Sequence, residues 1–120
     1  MPRFVILRHD GPQGTHFDFM LEVGDVLKTW ALPRPPEDGA EMQCEALADH
    51  RSAYLDYEGP ISGGRGSVTR WDRGDYTLGQ QSDAQWVVEL VGEKLTGEAT
   101  LRRAPGAANR WAFSCNARRL

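Results

Sequence analysis

The stretch His16-Phe17-Asp18-Phe19-Met20-Leu21-Glu22-Val23, followed by Gly24-Asp25 and Val26-Leu27-Lys28-Thr29-Trp30-Ala31-Leu32, decides the fold class. Its first eight residues alternate. Phe17, Phe19, Leu21 and Val23 fall on one side, and His16, Asp18, Met20 and Glu22 on the other. A period of two marks a strand that lays one face on a core. Gly24-Asp25 between two such runs predicts a hairpin, because glycine accepts the positive φ that tight primed turns require.

Working outward, Phe4-Val5-Ile6-Leu7 reads as a strand bounded by Pro2 and the Asp10-Gly11-Pro12 turn cluster. Val68 to Trp71, Trp86 to Val91, Lys94 to Arg102 and Arg110 to Cys115 read as further strands. Gly92-Glu93 predicts a second hairpin, and Asp72-Arg73-Gly74-Asp75 a turn. The segment 33–39 is a loop, since its prolines lack ladder donors. From Ala40 to Asp49 the composition favours helix while the neighbours favour strand, and both stay open. About seven short strands joined by short turns predict an all-β domain, an antiparallel barrel or sandwich. No repeat and no βαβ unit is present, which excludes Rossmann and TIM architectures.

The chain has 120 residues, 40% of them hydrophobic, and this predicts one globular domain over residues 1–120. Disorder and collagen-like repeats are excluded. The formal net charge of −3 argues against coating nucleic acid by bulk charge, so a nucleic-acid role needs a local basic site or a metal. No apolar run is long enough to span a membrane, and the first residues read as a strand rather than a leader. Cys44 and Cys115 stand far apart without a CxxC, which predicts a reduced, cytoplasmic protein. Trp30, Trp71, Trp86 and Trp111 all fall in predicted strands and read as core and barrel-end residues rather than a base-stacking platform.

The chemistry concentrates in the first fifty residues, which hold all three histidines. In His16-Phe17-Asp18 the imidazole and carboxylate share a strand face about 6–7 Å apart along the chain. The turn at Gly11-Pro12 can bring His9 back to face His16. Two histidines and an aspartate make a mixed nitrogen–oxygen site suited to Mn²⁺, Fe²⁺ or Zn²⁺. H-x-D also arises by chance, and solvated strand histidines give the same pattern. Asp49-His50-Arg51 can bind an oxyanion or lie on a surface loop. Ser62-Gly63-Gly64-Arg65-Gly66-Ser67 can form an anion-binding nest or a plain glycine turn, and it lacks the Walker A ending.

Several segments, in order, carry a resemblance: Phe4-Val5-Ile6-Leu7-Arg8-His9-Asp10, His16-Phe17-Asp18-Phe19-Met20-Leu21-Glu22 and Val26-Leu27-Lys28-Thr29-Trp30-Ala31-Leu32-Pro33. Asp49-His50 with Tyr54-Leu55-Asp56-Tyr57-Glu58-Gly59-Pro60-Ile61 follows. Gly66-Ser67-Val68, Trp71-Asp72-Arg73-Gly74 and Gly92-Glu93-Lys94-Leu95-Thr96-Gly97 complete the series. Together they resemble the 3′-phosphoesterase module of bacterial DNA ligase D and its small stand-alone relatives, over about residues 3 to 103.

The resemblance implies a compact β-barrel with short flanking helices. It implies divalent-metal-dependent removal of 3′-phosphates and 3′-ribonucleotides during DNA end repair, with Mn²⁺ the first choice and Zn²⁺ or another transition metal the alternative. Carried over, His9, His16 and Asp18 match the metal ligands, His50 a phosphate-contacting histidine, and Tyr54 an active-site tyrosine. The implied partners are a nucleic-acid 3′ end and ligase or polymerase repair proteins, met by a monomer without membrane contact.

Four departures stand out. The family's Arg two residues after the ligand Asp is Met20 here, and its acidic residue two before the site histidine is Ala48. The loop after Ile61 is shorter and lacks the usual Glu and Tyr, and His9 and His16 are seven apart rather than six. Losing one preorganised donor commonly costs roughly 10²–10³ in rate. Arg51 or Arg65 is expected to supply the missing charge, with Arg51 in the catalytic set and Arg65, Gly64 and Arg8 the expected substrate contacts. Three functions follow as expectations: a 3′-end phosphoesterase, an attenuated metal-containing module that binds ends or a repair partner, and a small-molecule phosphoesterase.

Overall fold

The computed structural model describes residues 1–119, with side chains through residue 116. Nine strands follow one another: β1 (Arg3–Gly11), β2 (Gly14–Val23), β3 (Val26–Leu32), β4 (Glu41–Arg51), β5 (Gly59–Pro60), β6 (Ser67–Gln81), β7 (Gln85–Gly92), β8 (Leu95–Arg103) and β9 (Arg110–Arg119). They form one antiparallel sheet in the order β1-β2-β3-β4-β9-β8-β7-β6-β5, and β6 returns to pair with β1. Eight long strands therefore close a barrel, with β5 attached outside β6. Closure removes the exposed edges that an open sheet would leave.

The predicted hairpin at Gly24-Asp25 is present, with Val23 opposite Val26 and Gly24 at φ 62°. All of the open segment except Ala40 resolves as strand, because β4 has a ladder partner on each side, β3 and β9. Of the expected flanking helices, the described residues hold one 3₁₀ turn, Ser52–Leu55. No helix among them is long and apolar enough to cross a membrane.

The barrel interior is filled from every long strand. Phe19 meets Phe113 edge-on at 5.3 Å between centroids, and Trp30 meets Trp111 at 5.6 Å and Trp86 at 5.9 Å. These three tryptophans are buried, as expected of core residues, and Trp71 is half-buried against Phe17. Alternation fails in one instructive place. Met20 points away from the interior and is still buried, together with Val5, Leu7, Leu27 and Val68. The 3₁₀ turn lays Leu55 over this outer patch, so these strands are covered on both faces here. Val23, expected inside, is exposed at the hairpin end.

The turn expected at Asp72-Arg73-Gly74-Asp75 is corrected: β6 runs straight through it. There the strand changes partner from β1 to β7, with Gly74 facing both Phe4 and Gly92. A Cβ on Gly74 would sit 1.9 Å from the Val91 carbonyl oxygen, so only glycine permits this crossing. Asp72 turns inward instead of capping a turn. Its carboxylate accepts the backbone N–H groups of Arg73, Glu93, Lys94 and Leu95 at 2.8–3.0 Å. A barrel corner needs the same polar and glycine residues as a turn, and only the distant β7–β8 connection tells them apart.

Candidate metal centre and adjoining clefts

The β1–β2 hairpin turns over Pro12-Gln13, with Gly11 opposite Gly14, and this register sets His9 directly opposite His16. Asp18 lies two residues beyond His16, hence on the same face and diagonal to His9. The face is the outer one, and it carries Met20 as the alternation requires.

The three side chains converge. His9 Nδ1 lies 3.2 Å from His16 Nε2 and 3.5 Å from Asp18 Oδ2, and His16 Nε2 lies 2.9 Å from Asp18 Oδ1. Asp18 is buried, and its Oδ1 has no aligned hydrogen-bond donor. A buried carboxylate oxygen without a donor is costly unless a cation faces it. The Asp18 carboxylate, 2.9 Å from His16 Nε2, also holds the His16 imidazole above its ordinary pKa.

His9 is oriented from behind. Its Nε2 lies 2.8 Å from the backbone carbonyl oxygen of Arg65. A carbonyl only accepts, so Nε2 carries the hydrogen and neutral His9 turns the lone pair of Nδ1 toward His16 and Asp18. Metal-binding histidines use this arrangement. The 62–66 loop makes it possible. Gly66 has φ 95°, and a Cβ there would sit 1.9 Å from the Asp10 carbonyl oxygen. A Cβ on Gly11 would lie 3.3 Å from the Arg65 carbonyl oxygen and 3.6 Å from His9 Nε2. The Gly66 carbonyl accepts the Ile61 N–H at 2.8 Å and closes the loop.

These residues fit a divalent cation. Donors separated by 2.9–3.5 Å match neighbouring ligands around one ion with bonds of about 2.0–2.2 Å. Two imidazoles and a carboxylate suit a borderline transition metal better than Ca²⁺.

A cleft of about 420 Å³ opens from the cluster, and His9, Asp18, His50, Arg51, Tyr54 and Arg65 reach it. His50 Nδ1 donates to the Ala48 carbonyl oxygen at 2.9 Å, which leaves Nε2 for another partner. The Tyr54 ring packs against His50 at 5.8 Å. Arg51 is exposed and makes no ion pair among the described residues. Met20 and Ala48 also line this cleft, so two of the four expected departures lie in it.

Not every expected residue joins them. Arg8 alternates onto the other face of β1 from His9 and is tied to Asp10 at 3.2 Å. Gly64 adopts φ 70° in the loop but is not among the residues lining the cleft. The Arg65 side chain folds back, its Nε donating to the Ser62 carbonyl oxygen at 2.8 Å. Its backbone carbonyl, invisible in a sequence, is what holds His9. The signal that pointed there was the glycine on each side of the close approach, Gly11 and Gly66.

The model of the DNA ligase D 3′-phosphoesterase domain matches residues 7–103. The chain belongs to that family. The multifunctional non-homologous end joining protein LigD of Pseudomonas aeruginosa is 33% identical over 123 residues, covering 91% of this chain and 14% of that protein. The multifunctional non-homologous end joining DNA repair protein LigD of Mycobacterium tuberculosis (strain H37Rv) is 33% identical over 117 residues, covering 90% and 15%. The LigD protein of Mycobacterium bovis matches to the same extent. The chain therefore spans about one-seventh of the length of these relatives.

Proposed function

We propose that this chain is a divalent-metal-dependent phosphoesterase that processes nucleic-acid 3′ ends during DNA end repair. The reading is carried by one observation. The His9–His16–Asp18 triangle opens into a cleft that also presents His50 and unpaired Arg51. His9 Nδ1, His16 Nε2 and the Asp18 carboxylate would hold the metal, with Mn²⁺ preferred and Zn²⁺ as alternative. A bound divalent ion supplies Lewis-acid polarisation of a phosphoryl oxygen and activation of a water nucleophile.

The remaining work falls to this chain's own groups. Nε2 of His50 donates to a phosphate oxygen when protonated, with its ring fixed by the Ala48 carbonyl and Tyr54. Arg51 neutralises negative charge on the phosphoryl group through its fork of donors. Leu7, Met20, Ile61 and Val68 form an apolar wall that limits water in the cleft. With Met20 in place of arginine, turnover is slower than in relatives that keep the cation. The relatives are multifunctional non-homologous end joining proteins, which supports a role in DNA end joining.

Purified protein with Mn²⁺ and a 3′-phosphate primer-template tests the reading. Phosphate release is expected, and release no greater than that of His16→Ala would reject catalysis. Met20 and Ala48 favour a second reading, a module that grips an end without cutting it. Metal-dependent anisotropy of a labelled 3′-phosphate oligonucleotide, without turnover, would select it.

A further inference from the structure

The metal cluster has two sides, and only one faces His50 and Arg51. His16 borders a second cleft, of about 470 Å³, on the opposite side, within the ~300–1,000 Å³ range of small-molecule sites. The register explains why the two clefts adjoin. Asp18 faces Ala31 on β3, Ala31 faces Glu45 on β4, and Glu45 faces Arg110 on β9. One row thus runs from the cluster across three strand spacings, ~14 Å, to Arg110. Ala31 keeps the row low beside Asp18, so a ligand held at the cluster can lie over it.

The chemistry of this cleft differs from its neighbour. Gln43, Glu45, Asn109 and Arg110 use none of their side-chain hydrogen-bonding groups on the described residues. Asn109 is fixed by its backbone, whose carbonyl accepts the Ala46 N–H at 2.8 Å. Ala31, Pro33 and Ala107 add an apolar patch. Two amides, a guanidinium and a carboxylate around apolar ground offer donors and acceptors together. Glu45 repels phosphate and accepts from hydroxyl and amino groups. Such a lining suits a sugar and base, whereas His50 and Arg51 suit a phosphate.

We propose that this second cleft seats the terminal nucleoside of a nucleic-acid 3′ end while its phosphate sits at the metal cluster. The proposal rests on the phosphoesterase reading and gives the substrate a direction across the barrel. Hydrogen bonds from Gln43, Asn109 and Arg110 to sugar and base make the enzyme select an end rather than any phosphate ester.

Isothermal titration of the Mn²⁺-loaded protein tests it, with adenosine 3′-monophosphate and inorganic phosphate as probes. Asn109→Ala and the double variant Gln43→Ala/Arg110→Ala are compared with wild type, their folding checked by thermal melts. The nucleotide is expected to bind about tenfold more weakly to the double variant, the scale of two lost hydrogen bonds, with phosphate binding unchanged. Unchanged nucleotide binding, equal losses for both probes, or a wild type that holds the nucleotide no tighter than phosphate would overturn the proposal. Phosphate release from a 3′-phosphate primer-template is read separately. Selective nucleotide binding without release would remove catalysis and leave the nucleoside seat standing.

Discussion

Two buried aspartates, Asp72 at the barrel corner and Asp18 at the metal cluster, are 1% and 3% exposed and have opposite surroundings. Asp72 accepts four backbone N–H groups, three on Oδ1 and one on Oδ2. Its charge is fully engaged within the fold. Asp18 faces two imidazoles, and Oδ1 lacks an aligned donor. A buried carboxylate whose acceptors are filled by backbone works as a structural part. One left half-filled beside two histidines is a binding group. Burial alone would have ranked the two together.

Substitution of each separates them. Asp72→Ala leaves the N–H groups of Arg73, Lys94 and Leu95 without their acceptor, while that of Glu93 keeps the Arg73 carbonyl oxygen at 3.0 Å. We expect a loss of at least about 3 kcal/mol, seen as a melting temperature lower by roughly 10 °C or more. At a pH above the raised His16 pKa, Asp18→Asn should keep the metal-free melting temperature nearly unchanged and weaken Mn²⁺ binding by about 100-fold or more, measured by titration calorimetry. Equal destabilisation by both would erase the distinction.

Gly66→Ala tests the support behind the cluster. A side chain at this positive φ collides with the Asp10 carbonyl, moves the Arg65 carbonyl and frees His9. Metal affinity should fall about 10- to 100-fold, the usual effect of losing a partner behind a ligand. The ¹⁵N shifts of His9 should report loss of its single tautomer.

The smallest effect is on pH. Asp18 raises the His16 pKa, so in the metal-free chain their contact stabilises the fold fully below the ordinary imidazole pKa. That stabilisation disappears as pH rises through the raised value. Metal binding needs the free lone pair and runs the other way, tightening as pH rises. Denaturant melts of wild type and His16→Ala across pH 5–9 (about the imidazole range), with and without Mn²⁺, should show the two trends crossing.

The same comparison shows how far the sequence could be read. Alternation in β2 was enough to place Asp18 and Met20 on one face, and Gly11-Pro12 to set His9 against His16. These are local facts of strand period and turn chemistry. Asp72-Arg73-Gly74-Asp75 has the composition of a turn, yet its acceptors and its glycine serve residues some twenty positions away. Arg65 was expected to act through its guanidinium and contributes its carbonyl, which no side-chain reading distinguishes. Covering of Met20 by Leu55 depends on the 3₁₀ turn folding back over β1 and β2. Each gap is a long-range contact whose cause lies outside the segment that carries it.

The central claim is that Asp18, His9 and His16 hold one divalent ion. Crystals soaked in Mn²⁺ and measured for anomalous scattering test it most directly. A single peak is expected about 2.0–2.3 Å from His9 Nδ1, His16 Nε2 and an Asp18 oxygen. A saturating soak that leaves this triangle empty, or a peak ligated by neither histidine, would contradict it.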